Sequence, residues 1–172
     1  MTDRELALTC LHEAGHVVAC FALFPEGQQG VTKARIFTGS RPGELGGQVS
    51  YSGSTRTREE LEKDVVVSIA GAAAEELFGR SPMWISGPDA KNLDSAFGAL
   101  GIPPAWRPVV LAEARGKALS LLKEHRALVV RFAEHLLQQK ALDAGEIREV
   151  LESVGTPPPD RRLDPFAGLG PL

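Results

Sequence analysis

A chain of 172 residues is long enough for one domain with a substantial core and crowded for two. Its composition, 43% hydrophobic and 24% charged, argues against wholesale disorder or a fibrous repeat, and a net charge of −3 offers no broad basic surface for nucleic acid. Met1-Thr-Asp-Arg-Glu5 lacks the basic and apolar regions of a signal peptide, and the longest apolar runs, such as Val65 to Ala74, fall short of the ~20 residues that cross a bilayer. The expectation is a cytoplasmic chain with no nucleic-acid partner and no membrane insertion.

Thr2 with Glu5 reads as a capping box opening a helix that runs to about Phe24, where Pro25-Glu-Gly stops it. At about 100° per residue, Glu5, Thr9, His12 and His16 fall in one narrow stripe with Glu13 at its edge. Ala7, Leu11, Val17, Val18 and Phe21 cover most of the rest, so this is a buried helix with one polar stripe. Cys10 and Cys20 share it about 15 Å apart along the axis, beyond disulfide reach, and read as buried thiols in a reducing compartment. Val31–Phe37 and Gly47–Tyr51 alternate like strands around a turn-rich Thr38-Gly-Ser-Arg-Pro-Gly, which predicts a hairpin or small sheet.

Thr57 with Glu60 forms a second capping box, and its helix continues through Val65–Ala74 and Glu75-Glu76-Leu77 before Gly79 ends it. Ser81–Pro88 reads as a loop and Asp89–Leu100 as a helix with Leu93, Ala96, Phe97 and Leu100 on one face. Pro103, Pro104 and Pro108 mark a break, followed by one long helical stretch from about Val109 to Gln139. Asp143 with Glu146 caps a last helix ending near Val154. The domain is placed at residues 1–155, with a Pro/Gly-containing tail at 156–172.

The chemistry concentrates in His12-Glu13-Ala14-Gly15-His16. Zinc needs imidazole nitrogens converging within about 2.1 Å, and two histidines four apart on a helix put both rings on one face, one turn apart. Glu13 is placed to face a water at the metal without entering its ligand set, the base role in HExxH peptidases. Three ionisable groups on an otherwise apolar helix cost several kcal/mol without a compensating partner, and a metal is the simplest one. His125 and His135 have no carboxylate at comparable spacing and read as surface or structural residues.

With these residues in hand, the order of segments resembles the peptidase domain of the FtsH family of zinc proteases. Beyond His12–His16, the likeness runs through Val31-Thr-Lys-Ala-Arg-Ile36, Gly46-Gly-Gln-Val49, Ile69-Ala-Gly-Ala-Ala-Ala-Glu-Glu-Leu-Phe-Gly79 and Ser86-Gly87. It continues in Ala118–Leu137 and Leu142-Asp-Ala-Gly-Glu-Ile147, and so spans roughly residues 5–152. The resemblance implies an α+β, mainly α-helical, zincin-like domain with a small β element beside the HExxH helix, a C-terminal helical subdomain, Zn2+ as cofactor and proteolysis as the activity.

Two departures stand out. These 172 residues contain no spanning segment and no Gly-rich loop ending Gly-Lys-Ser/Thr, although the family joins its peptidase to membrane segments and an ATPase. In the family an aspartate follows Ser/Thr-Gly-Ala by a few residues and supplies the third ligand. Here Ser86-Gly-Pro-Asp-Ala-Lys-Asn-Leu-Asp-Ser-Ala96 puts Lys91 or Asn92 at that count. Helical geometry arbitrates: with Asp89 at 0°, the apolar residues lie between about −20° and 80° and Asp94 near 140°. Asp89 is therefore taken as third ligand, with Asn92, Asp94, Glu75 and Glu76 as alternatives and a helix N-cap as its purely structural role. Glu75 or Glu76 either holds the non-ligating nitrogen of His12 or His16 or belongs to an exposed or salt-bridged pair, and no oxyanion donor is assigned, since Tyr51, the sole tyrosine, reads first as a packed strand residue.

The expected function is a zinc-dependent endopeptidase acting on unfolded or flexible polypeptides, ATP-independent on its own, with the substrate extended along Gly47–Tyr51. A separate ATPase, docking on the Pro157–Leu172 tail, is a candidate partner. The alternative is a degenerate zincin that binds metal or a protein partner without cleaving.

Overall fold

A computed structural model describes residues 3–24, 30–38, 45–52, 57–79, 85 and 87–153, and the proposed tail at 156–172 and the Thr2 cap lie outside them. The described residues are mainly helical, with one small antiparallel sheet.

Helix α1 (Asp3–Leu23) is the centre of the fold. Leu11, Ala14, Val17, Val18 and Ala19 are fully buried, because α1 packs against three other helices and two strands. Its window Arg4–Leu23 is long and apolar enough to cross a bilayer, which corrects the expectation that no apolar run reaches that length. The physical reason is internal: 67% of that window is buried within the fold, so its apolarity serves the core.

Helix α2 (Arg58–Leu77) lies along α1. Thr57 caps it as predicted, its hydroxyl accepting from the Glu60 amide while the Glu60 carboxylate accepts from the Thr57 amide. Residues Val65–Gly71 are continuously buried, since α1 covers one side of α2 and helices α3 (Gly87–Leu100) and α4 (Arg107–Glu124) cover others. At Gly15 a side chain would meet the Ala70 carbonyl and the Ala74 methyl, so its absence lets the two helices approach closely.

Strands β1 (Gly30–Thr38) and β2 (Leu45–Ser52) pair antiparallel, with Ala34 opposite Val49 and Ile36 opposite Gly47. A third strand, β3 (Ala141–Asp143), pairs with the other side of β1, giving the order β2-β1-β3. β3 is only three residues long, too short for a visible alternation, which is why the sequence reading contained two strands. β2 is thus an edge, and among the described residues no strand pairs with its outer side.

The single helix expected over Val109–Gln139 is two. α4 ends at Glu124 and α5 (Arg126–Gln139) starts after His125, whose ψ of 22° departs from the helical value. The break lets α4 pack mainly on α2 while α5 packs on α1, through Val129, Phe132, Ala133 and Leu136. No glycine or proline marks it, so it follows from packing rather than local preference. α4 also begins earlier than expected, at Arg107, and takes in Pro108 in its first turn, where a missing amide costs nothing. α3 likewise begins at Gly87 rather than Asp89, so Pro88 belongs to a helix and not to the predicted loop. The last helix, α6 (Ala144–Glu152), carries the predicted Asp143/Glu146 capping box.

Candidate metal and catalytic site

Three elements converge at the middle of α1. α1 brings His12, Glu13 and His16; α2 brings Val67 and Glu75; the first turn of α3 brings Asp89. His12, His16 and Asp89 are the one group of three potential ligands found among the described residues. His12 Nε2 lies 3.1 Å from His16 Nε2 and 3.1 Å from Asp89 Oδ2, and His16 Nε2 lies 3.4 Å from that same oxygen.

Those three edges can be compared with what a metal requires. Ligand atoms at about 2.1 Å from a tetrahedral zinc stand about 3.4 Å from one another. Two imidazole nitrogens and a carboxylate oxygen are also a donor set that zinc accepts with one position left open. The residues present therefore fit such an ion.

Both imidazoles are held from behind. His12 Nδ1 donates to Glu75 Oε1 at 2.7 Å, and His16 Nδ1 donates to the Val67 carbonyl at 2.7 Å. With Nδ1 committed to an acceptor on each ring, Nε2 is the atom left to face the cluster, as metal-binding histidines require. The two rings meet nearly edge-on, at an interplanar angle of 76°.

Electrostatics follow from burial and contact. Burial alone would push the His12 imidazole down, but its hydrogen bonds with Asp89 and Glu75 outweigh that and raise it to about 10. Burial would push Asp89 up, yet the bonds from His12 and His16 hold it well below the usual carboxylate range. Glu13 is 5% exposed, and its burial raises it despite the nearby imidazoles. A buried carboxyl group with a raised pKa is a suitable proton carrier.

The remaining candidates fall elsewhere. Asp94 is exposed and pairs with Arg107 at 3.1 Å, and Asn92 is exposed. Glu76 faces Arg115, which donates to it from both Nε and Nη2. Of the adjacent pair, Glu75 is the one that meets a histidine. Tyr51 is half-buried on β2, packed against the core, and its burial raises the phenol pKa well above the usual value. His125 sits at the α4–α5 junction, and His135 Nδ1 bonds the Arg131 carbonyl. The Val67 carbonyl was not foreseen, because a backbone acceptor leaves no trace in residue identity.

No family model matches the chain. Among curated proteins, the ATP-dependent zinc metalloprotease FTSH 9, chloroplastic/mitochondrial, of Oryza sativa subsp. japonica is 30% identical over 175 aligned positions, covering 86% of this chain and 22% of that protein. The ATP-dependent zinc metalloprotease FtsH of Mycobacterium bovis is 24% identical over 211 aligned positions, covering 99% of this chain and 28% of that protein. The same figures hold for FtsH of Mycobacterium tuberculosis. The chain is distantly similar to FtsH metalloproteases. It spans about a quarter of the length of these relatives, and the similarity points to a protease-related chain.

Proposed function

We propose that this chain is a zinc-dependent endopeptidase whose metal ligands are His12, His16 and Asp89 and whose general base is Glu13. The observation that supports this reading is the nearly even triangle of His12 Nε2, His16 Nε2 and Asp89 Oδ2. His12, His16 and Asp89 would hold the zinc ion, which would supply Lewis acidity for the scissile carbonyl and for the attacking water. Glu75 and the Val67 carbonyl keep the two imidazoles in the tautomer and orientation that binding requires. Glu13 takes one proton from water as its oxygen adds to the carbonyl carbon. The same carboxyl then delivers that proton to the departing amine nitrogen as the C–N bond breaks.

The substrate runs as an extended strand along the outer edge of β2, at Gly47–Tyr51. Glu13 reaches this strand, since a side chain at Gly47 would overlap its carboxyl group. Edge pairing uses main-chain hydrogen bonds whatever the substrate sequence, which suits a broad peptidase. Because the segment must be extended, unfolded or flexible polypeptides are the substrate class, and a separate ATPase is the partner that would make folded proteins accessible.

The test is cleavage of a permanently unfolded protein by the purified chain before and after chelation. Cleavage lost with the metal and restored by zinc is expected; cleavage indifferent to chelation, or absent from a zinc-loaded chain, contradicts the reading.

A further inference from the structure

Two glycines stand where this site has no room for a side chain. A methyl group at Gly71, in the buried middle of α2, would lie 2.5 Å from Nε2 of both His12 and His16, where ordinary contact begins at 3.4 Å. One at Gly47, in edge strand β2, would overlap the Glu13 carboxyl group. Backbone conformation does not explain either glycine. Gly71 lies within an α-helix, where alanine is the better former, Gly47 pairs regularly with Ile36, and neither is among the glycines with positive φ. What excludes a side chain in each case is the functional group opposite.

The surroundings of Gly71 make the exclusion specific. Val67 and Glu75 lie one turn before and one turn after it on the same face of α2, and they hold Nδ1 of His16 and of His12. The stripe 67–71–75 thus grips each ring at its far nitrogen and leaves clear the space beside both near ones. A methyl group there would have to turn the rings off their Nδ1 partners or part α1 from α2, and either motion opens the donor triangle.

We propose that Gly71 and Gly47 are positioning residues that divide the site between them. Gly71 sets the spacing of the His12 and His16 nitrogens and hence the affinity for a divalent ion. Gly47 seats the Glu13 carboxylate and hence governs turnover without touching the ion. The inference rests on the zinc-peptidase reading, but its failure is separable from the failure of that reading.

The test measures zinc affinity of the metal-free chain by competition with a chromophoric chelator, the absorption spectrum of the Co2+ form, and kcat on an unfolded polypeptide. Gly71→Ala is expected to retain helical circular dichroism, lose about 10- to 100-fold in zinc affinity, the size of effect that loss of an orienting partner brings, and change the Co2+ spectrum. Gly47→Ala is expected to keep the parent's affinity and spectrum while kcat falls about 100-fold or more, the share of a misplaced general base. A parent that binds and cleaves while Gly71→Ala binds zinc equally well, or while Gly47→Ala weakens zinc as much as Gly71→Ala does, overturns the inference alone. A parent that binds no zinc overturns the site reading and the inference with it. If Gly71→Ala does not fold, the same change is made in a His12→Ala/His16→Ala background. Recovery of folding there supports the steric role, and continued failure overturns it.

Discussion

Glu75 accepts a hydrogen bond from Nδ1 of His12 at 2.7 Å, joining the end of α2 to the middle of α1 across 63 positions of sequence. A carboxylate there fixes the ring and strengthens Nε2 as a donor. Glu75→Ala should therefore weaken zinc binding about 10- to 100-fold, with Glu75→Gln in between because it keeps an acceptor but loses the charge. Competition titration with a chelator measures this, and unchanged affinity in Glu75→Ala would show that the contact does not orient a ligand.

Asp89 and Asp94 provide an internal comparison on one helix. Asp89→Ala removes an oxygen from the donor triangle and should abolish tight zinc binding. Asp94→Ala removes an exposed ion pair with Arg107, worth about 0–1 kcal/mol, and should leave zinc content untouched. Metal analysis of the two variants after identical purification decides the matter, and equal zinc loss in both would remove Asp89 from the ligand set.

The His12 pKa makes zinc binding dependent on pH. In the metal-free chain the imidazole keeps its proton up to about pH 10, and a metal ion must displace that proton from Nε2. Apparent zinc affinity should accordingly rise with pH through neutrality and level off only near 10. Because the folded-state value is raised above 6.5, the same group stabilises the metal-free fold fully below 6.5, and that contribution is lost as pH rises through about 10. Calorimetry in buffers of different ionisation enthalpy should find about one proton released per zinc near pH 7, and binding without proton release would contradict the assignment.

The features legible in the sequence are those that local chemistry encodes. The Thr57/Glu60 and Asp143/Glu146 boxes are signalled by residues three apart and occur as expected. The periodicity of α3 puts Asp89 on the same side as buried Leu93, Ala96 and Phe97, and Asp94 on the exposed one. Features made by packing were not legible. The helix break at His125 has no local breaker, β3 is defined by its pairing with β1, and the Val67 carbonyl acts through a backbone atom any residue would provide. The choice of Glu75 over Glu76 was equally hidden, since it depends on which face of α2 meets α1 and which meets Arg115 of α4.

The 172-residue chain by itself should cleave a permanently unfolded protein and spare the same protein in its folded state, with no response to ATP. Folded domains resist opening by about 5–15 kcal/mol, and an extended segment becomes available only rarely. Nothing in the sequence resembles a Gly-rich loop ending Gly-Lys-Ser/Thr that would couple nucleotide to unfolding. Rapid digestion of the folded form, or stimulation by ATP without another protein present, would contradict this.

The most direct measurement compares the parent with Glu13→Gln for zinc content and for cleavage of an unfolded protein, side by side. Glu13 is buried next to the donor triangle without being part of it, so the amide should leave metal binding intact and remove the proton acceptor. About one zinc per chain is expected in both proteins, with turnover only in the parent. Zinc retained with cleavage undiminished in Glu13→Gln would contradict this.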